Sequence, residues 1–343
     1  MKKKLGIIMG GMSTEHDVSI KSGLSVISYL NTNLYDIHII YIDKNGNWFC
    51  CGDKNFSVDK LNAIDNVFSY LKDFDVIFPV LHGKYGEDGT VQGVLELLHI
   101  PYVGCGVLAS SLAMDKIYTK TILDKIGICQ ARYVWVKKMH EEYALVDDKF
   151  QDKVDSILSI CHNISQKLTY PMYVKPSRSG SSVGVRKVLN DKELCDAIKY
   201  ASQYDDKIIV EEEVVGREIE CSVLGNYEVV ASCLGEICPA DEFYTYDAKY
   251  QNNASKLVIP AHLDKELTKK VQDIAVMAFR AIDGRGLSRV DFFVNDVTGE
   301  VYLNEINTMP GFTNISMYPK LWEESGIPYG NLLTQLIDLA LER

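Results

Sequence analysis

The sequence predicts a chain of mixed class, α/β at its amino-terminal end and α+β beyond it, with a doubly wound parallel sheet first. Three observations carry this. In the first third, short apolar runs alternate with helix-spaced apolar residues, the β-turn-α repetition of a parallel sheet. The middle third interleaves strands and helices without that repetition, and the last third is mostly strand. At 343 residues the chain has room for two or three domains, which usually run to about 100–200 residues each.

In chain order, residues 5–9 read as a buried strand, 10–13 as a turn and 18–30 as a helix with apolar residues at helical spacing. Strands at 37–42 and 75–80 follow, separated by a turn at 43–46, and a helix spans 89–99 after a polar loop. Ligands of doubly wound sheets bind at the carboxyl ends of strands, so the loops at 10–15 and 82–88 are site candidates by geometry alone. A helix at 108–126 leads into strands at 132–136, 172–175, 183–187 and 207–212, with helices at 152–167 and 192–204 between them. The last third carries strands at 218–224, 228–234, 287–294 and 300–306, the final two joined by a hairpin turn at 296–299. Helices at 264–282 and 329–341 complete it. Residues 239–255 show no period and are rich in Tyr, Asp and Asn, as lids and binding loops often are. The divisions expected are 1–106, 107–210 and 211–343.

The formal net charge of -11 argues against a nucleic-acid or membrane-surface role, because phosphate backbones call for a basic face. A few local cations would still suffice for a nucleotide. The basic Met1-Lys2-Lys3-Lys4 start is followed by too short an apolar run for an export signal, and no run approaches the ~20 residues of a membrane span. A cytoplasmic protein is expected. The nine cysteines are irregularly spaced and contain no C-x-x-C pair, so buried free thiols are expected.

Four motifs carry chemistry. The strongest is Arg289-Val290-Asp291 with Asn304-Glu305-Ile306-Asn307. Residues two apart on a strand share a face, so pairing these strands can gather Asp291, Glu305 and Asn307 as hard oxygen ligands of the kind magnesium prefers. Arg289 beside them would stabilise charge on a transferring phosphoryl group. Solvated strand polarity is the rival reading, but Glu-x-Asn inside an apolar strand is costly without partners. The second motif is a strand ending in Lys175 and then a Gly/Ser loop, Pro176 to Gly184, whose N–H groups can cradle phosphate without a Walker sequence. Alone it would read as a hairpin. Lys175 ahead of it and the downstream carboxylates favour phosphate. The third, Glu211 to Glu218, can serve ribose hydroxyls and an adenine edge, though by itself a solvated acidic strand end is the simpler reading. The fourth, His82-Gly83-Lys84-Tyr85-Gly86-Glu87-Asp88-Gly89, follows a strand and opens a helix. A lone histidine is more often packed than catalytic, and only its place at a strand's carboxyl end balances the two readings.

These motifs, with the Gly-Gly-x-Ser-x-Glu loop at 10–15, occur in an order that closely resembles the D-alanine–D-alanine ligases of the ATP-grasp superfamily, over nearly the whole chain. The resemblance implies a three-domain ATP-grasp fold with ATP between the central and carboxyl-terminal domains. It implies an acyl phosphate made from one D-alanine and captured by the amine of a second, for peptidoglycan precursors. By resemblance, Lys116 and Lys175 bind phosphate, with Ser182 and Asn304 also at ATP. Glu211 and Glu218 are nucleotide acids and Val214 lies at the adenine edge. Phe243, Lys249 and Tyr250 belong to the mobile loop, Lys249 reaching phosphate and Tyr250 joining Glu15 and Ser181. Asp291, Glu305 and Asn307 match ligands of two magnesium ions, with manganese able to substitute and potassium a candidate activator. Arg289 and the Gly311 N–H stabilise the tetrahedral intermediate. Glu15 holds the first substrate's ammonium, His82 orients that substrate, and Ser316 holds the second carboxylate beside Met317. Arginine often stands at the Met317 position in relatives that add D-lactate or D-serine. The family usually forms homodimers through the amino-terminal domain. The alternatives are a D-Ala–D-Ser or D-Ala–D-lactate ligase, another carboxylate–amine ligase, or an ATP-sensing regulator without catalysis.

Overall fold

The computed structural model describes residues 2–51, 56–238 and 256–342, which form three sheets over separate apolar cores. The first contains β1 (Lys3–Gly10), β2 (Tyr35–Ile42), β3 (Trp48–Cys51), β4 (Leu61–Ala63) and β5 (Val76–Pro79), in the order β4-β3-β2-β1-β5. β1 pairs in parallel with β2 and β5. Its Leu5 and Ile7 join one buried cluster and Ile8 another, so both faces are covered, as a continuous apolar run requires. Helices α1 (His16–Tyr29) and α3 (Thr90–Leu97) cover opposite faces, with the short α2 (Val67–Leu71) beside α3.

The parallel, doubly wound part is β2-β1-β5, but the sheet as a whole is mixed. β3 and β4 pair antiparallel at its edge. The reason lies in the turn at 43–46, where Asp43 Oδ1 accepts from the N–H groups of Asn45 and Asn47 at 2.8 Å. That Asx turn sends the chain back as a hairpin rather than into a crossover helix.

The helix expected over 108–126 is two helices, α4 (Val107–Met114) and α5 (Lys116–Lys125). Asp115 between them is extended (φ -94°, ψ 99°), and its carboxylate caps α5 through the Ile117 N–H. The central sheet follows, in the order β10-β9-β11-β6-β7-β8. Its strands are β6 (Tyr133–Met139), β7 (Glu142–Val146), β8 (Asp152–Asp155), β9 (Met172–Pro176), β10 (Arg186–Val188) and β11 (Lys207–Glu212). Helices α6 (Ile157–Ser165) and α7 (Asp191–Ala201) pack on it. The helix expected from 152 begins only at Ile157, capped by Ser156, because 152–155 pairs as the edge strand β8. The strand expected at 183–187 shortens to Arg186–Val188, since Ser181, Ser182 and Gly184 hold positive φ and keep the preceding loop irregular. A division at 210 falls inside β11, which stays in the central sheet to Glu212.

The third sheet contains β12 (Arg217–Gly225), β13 (Val230–Cys238), β14 (Lys256–Val258), β15 (Gly286–Asn295) and β16 (Glu300–Asn307), in the order β14-β13-β12-β15-β16. Helix α8 (Lys265–Ala281) packs on its apolar face. An unpredicted helix, α9 (Met317–Glu324), follows; its Pro319 lies in the first turn, where no intrahelical N–H is needed. The closing helix α10 (Tyr329–Leu341) returns to the first sheet and buries Leu332, Leu333 and Leu336 with Phe78. Cys161 of α6 and Cys195 of α7 bring their sulfurs together inside the central core, and the other described cysteines are not paired with one another. Among the described residues no helix is long and apolar enough to cross a membrane.

Candidate active site

Two clefts meet where the three sheets converge. The first is lined by Glu15, His82, Glu87, Arg289, Gly311, Ser316 and Met317. The second is lined by Lys175, Ser182, Glu211, Val214, Glu218, Asp291 and Asn304. Lys116, Ser181, Glu220 and Glu305 line both, so the clefts share a wall. Asn307 lines the first. Phe243, Lys249 and Tyr250 lie outside the described residues.

The shared wall is a row of acids fixed by strand register. Glu220 of β12 stands opposite Asp291 of β15, which stands opposite Glu305 of β16. Arg289 grips Asp291 through two bonds of 2.7 Å and reaches Glu220 at 3.0 Å, and Asn307 donates to Asp291 at 2.9 Å. Lys116 lies 3.8 Å from Glu305. Burial works against the Arg289 charge, but Asp291 and Glu220 hold it firmly protonated. Glu220 escapes a sequence reading because its importance comes from register across the sheet.

β16 also carries a bulge. Asp291 pairs with Glu305 and Phe292 with Leu303, leaving Asn304 without an opposite residue. Simple alternation would put Asn304 and Glu305 on opposite faces, yet the bulge lets both line the second cleft.

Like charges directly opposite on a sheet destabilise it, and Arg289 with Lys116 does not neutralise the three carboxylates. The row has the chemistry of a hard-cation site, at which Asp291, Glu305 and Asn307 would be the oxygen donors. Among the described residues no three His, Cys, Asp or Glu side chains form a metal cage alone.

At the back of the second cleft Glu211 is buried between two lysines. Its Oε1 lies 2.8 Å from Lys120 and its Oε2 2.5 Å from Lys175. Burial pushes this carboxyl up, but Lys120 and Lys175 outweigh it and hold it at about 2. Glu211 thus anchors the phosphate-side lysines rather than standing open to solvent. Lys120 is only 2% exposed and is new to the site. The sequence does hold a signal for it, since Lys116 and Lys120 are four apart on one helix and so share a face.

The first cleft is closed by loops from both chain ends. Gly10 turns sharply at the end of β1 (φ +93°), where a Cβ would come within 2.2 Å of the Ile42 carbonyl. This delivers Glu15, whose Oε1 accepts from Ser181 Oγ at 2.7 Å across 166 residues. Gly83 approaches so closely that a Cβ would lie 2.7 Å from Glu15 Oε2. His82 is buried, with Nδ1 3.0 Å from the Met309 carbonyl and Nε2 3.1 Å from Ser22 Oγ. Burial lowers its pKa and keeps the ring neutral, so it donates from Nδ1 and braces the loop that carries Gly311. Ser22 Oγ also accepts from the Phe312 N–H at 3.2 Å.

Glu87 is a third residue not singled out from sequence, although the motif at 82–89 contains it. Its oxygens accept from the Gly83 N–H at 2.7 Å and the Met309 N–H at 3.1 Å, bridging loops 222 residues apart. Burial, with the nearby charge of Glu15, pushes its carboxyl up to about 8. Ser316 heads α9 with Oγ held by Thr313, and Met317 packs against Ile237 and Leu321. The arrangement offers a small polar pocket closed by loops from both chain ends, a second cleft carrying buried lysines, and an acid row between them.

Residues 4–105 match the family model described as D-ala D-ala ligase N-terminus, and 122–338 the one described as D-ala D-ala ligase C-terminus. A D-alanine–D-alanine ligase of Acetivibrio thermocellus is 46% identical over all of this chain and 96% of its own length. One of Natranaerobius thermophilus is 48% identical with the same coverage. Among solved structures, the D-alanine–D-alanine ligase of Coxiella burnetii superposes with a TM-score of 0.86 at 36% identity, covering 100% of this chain and 94% of that one. The VanG D-Ala:D-Ser ligase of Enterococcus faecalis gives the same score and identity, covering 99% and 100%. The Bacillus anthracis D-alanine–D-alanine ligase complexed with ATP scores 0.76 at 31% identity, covering 99% and 98%.

Proposed function

Because this chain belongs to the D-alanine–D-alanine ligase family, we propose that it joins two D-alanines to D-alanyl-D-alanine at the expense of ATP, through an acyl phosphate. The observation that carries the reading is the shared wall: Lys116, Ser181 and Glu305 border both clefts, so a carboxylate in one faces a γ-phosphate in the other.

A free carboxylate is a poor acyl donor. Glu15 holds the first D-alanine's ammonium and directs its carboxylate at the γ-phosphate. A C–O–P linkage forms as ADP leaves. Lys116 and Lys175 offset the phosphate charge, and Arg289 with the Gly311 N–H faces the oxyanion when the second amine attacks. The C–O bond to phosphate then breaks and the peptide remains. Asp291, Glu305 and Asn307 would hold magnesium, which supplies charge neutralisation at the transferring phosphoryl group. Manganese in its place and activation by potassium belong to the proposal. Ser316, at the head of α9, holds the second carboxylate, and Met317 forms an apolar wall beside it.

The proposal includes a central unit from 107 to the break between β11 and β12 and a homodimer through the amino-terminal unit, which size-exclusion chromatography with light scattering tests; the lid expected over 239–255 lies outside the described residues. Equal superposition on the D-Ala:D-Ser ligase keeps a second reading open at the acceptor subsite. ADP release with D-alanine alone, then with D-serine or D-lactate added, decides between them. Substantial turnover on D-alanine alone is expected. ADP forming only with a different acceptor would overturn the assignment.

A further inference from the structure

We infer that Asp115 is a positioning residue for nucleotide binding: it locks the root of the Gly/Ser loop to the first turn of α5 and so sets where Lys116 meets triphosphate. This rests on the reading of the Lys116–Lys175 cleft as the triphosphate site.

Asp115 is 5% exposed and sits at the break between α4 and α5. Its Oδ1 accepts from Ser177 Oγ at 2.7 Å and from the Ile117 N–H at 3.3 Å, and its Oδ2 takes the Lys207 ammonium. Ser177 is fully buried. Its carbonyl accepts from the Lys116 N–H at 3.2 Å, and its own N–H donates to the Lys207 carbonyl at 2.8 Å. Lys207 also donates its N–H to Asp205 Oδ1 at 3.1 Å, while Asp205 Oδ2 accepts from the Arg178 N–H at 2.8 Å. Residues 177 and 178 are therefore held from α5 on one side and from β11 on the other.

The part of the loop that faces the clefts begins at the next residue. The Ser179 carbonyl accepts from Lys116 Nζ at 2.9 Å, and Ser181 and Ser182 follow with φ of 52° and 59°. Two non-glycine residues in the left-handed region persist only where their surroundings over-determine them. No strand ladder runs through this stretch, so it is placed by its root at 177 and 178 together with the bonds of Ser179 to Lys116 and of Ser181 to Glu15. Asp115, Ser177 and Lys207 line neither cleft and must act through Lys116 and the loop.

The test is the ATP dissociation constant by calorimetry, with separate KM values for ATP and D-alanine, in Ser177→Ala, Asp115→Asn and Lys207→Met. Asp115→Asn should weaken ATP binding and raise its KM about tenfold, and Ser177→Ala roughly threefold, with the D-alanine KM changed by less than about twofold. Asp115→Asn and Lys207→Met combined should cost no more than Asp115→Asn alone, because both break one pair. ATP binding unchanged in Ser177→Ala and Asp115→Asn, or a D-alanine KM that rises in step with that of ATP, overturns the inference. Ser177→Ala removes one oxygen and carries the test if Asp115→Asn does not fold. A wild-type protein that fails to bind ATP fails the functional reading instead.

Discussion

Replacing Glu211 by Gln measures how strongly the nucleotide cleft depends on its buried charge. The wild-type carboxylate lies between Lys120 and Lys175, which hold it at about 2 against an ordinary 4.5 although burial pushes the other way. At ~1.4 kcal/mol per decade, that difference corresponds to about 3 kcal/mol of native-state stability at neutral pH. An independent figure agrees, since removing one partner of a buried ion pair costs about 3–5 kcal/mol. The folded-state pKa is depressed, so the contribution is complete above pH 4.5 and is lost as pH falls toward 2. Glu211→Gln should therefore be about 3 kcal/mol less stable than wild type at pH 7, and the gap should close progressively below pH 4.5. Urea unfolding read by hydrogen exchange at the β9 and β11 amides follows the sheet that carries the pair. Adding Lys120→Met, which removes the more deeply buried of the two cations left without their carboxylate, should recover part of the loss. A gap under about 1 kcal/mol at pH 7, or one that stays constant down to acid, would refute this account of the charge balance.

Other outcomes follow from the same geometry. Asp291→Asn and Glu305→Gln should each lower ADP formation by about a thousandfold or more while circular dichroism stays that of wild type, and near-normal turnover in either would remove the metal assignment. Glu87→Gln tests the carboxyl raised to about 8: a raised folded-state pKa gives stability present below 4.5 that is lost as pH rises through 8, so wild type should fall behind Glu87→Gln in thermal melts between pH 5 and 8. Parallel melting curves would contradict it. Met317→Arg should cut turnover on D-alanine alone by roughly tenfold while leaving the ATP KM unchanged, and an equal rise in the ATP KM would show that the side chain acts beyond the acceptor subsite.

What was legible in the sequence is what one element states locally. β11 at 207–212 and α10 at 329–341 stand where their apolar period put them. Arg289 and Asp291 share a face because they are two apart on one strand. The rest depends on neighbours distant in sequence. Glu220 matters only beside Asp291, and Glu87 only because Met309 lies across a loop closure. The bulge that turns Asn304 into the cleft leaves no mark on the alternation of β16 itself. The strands β3, β4 and β8 are only three or four residues long, too short for a period to be read. The break at Asp115 hides inside an otherwise helical run, where the contacts of its side chain with Ser177 and Lys207 decide the backbone.

The central claim is that one carboxylate oxygen of the first amino acid passes to phosphorus. D-alanine labelled with ¹⁸O in its carboxylate, ATP and magnesium should yield inorganic phosphate carrying one ¹⁸O for each dipeptide formed, read by mass spectrometry. Unlabelled phosphate accompanying dipeptide would contradict the acyl phosphate and the placing of the two clefts on one wall.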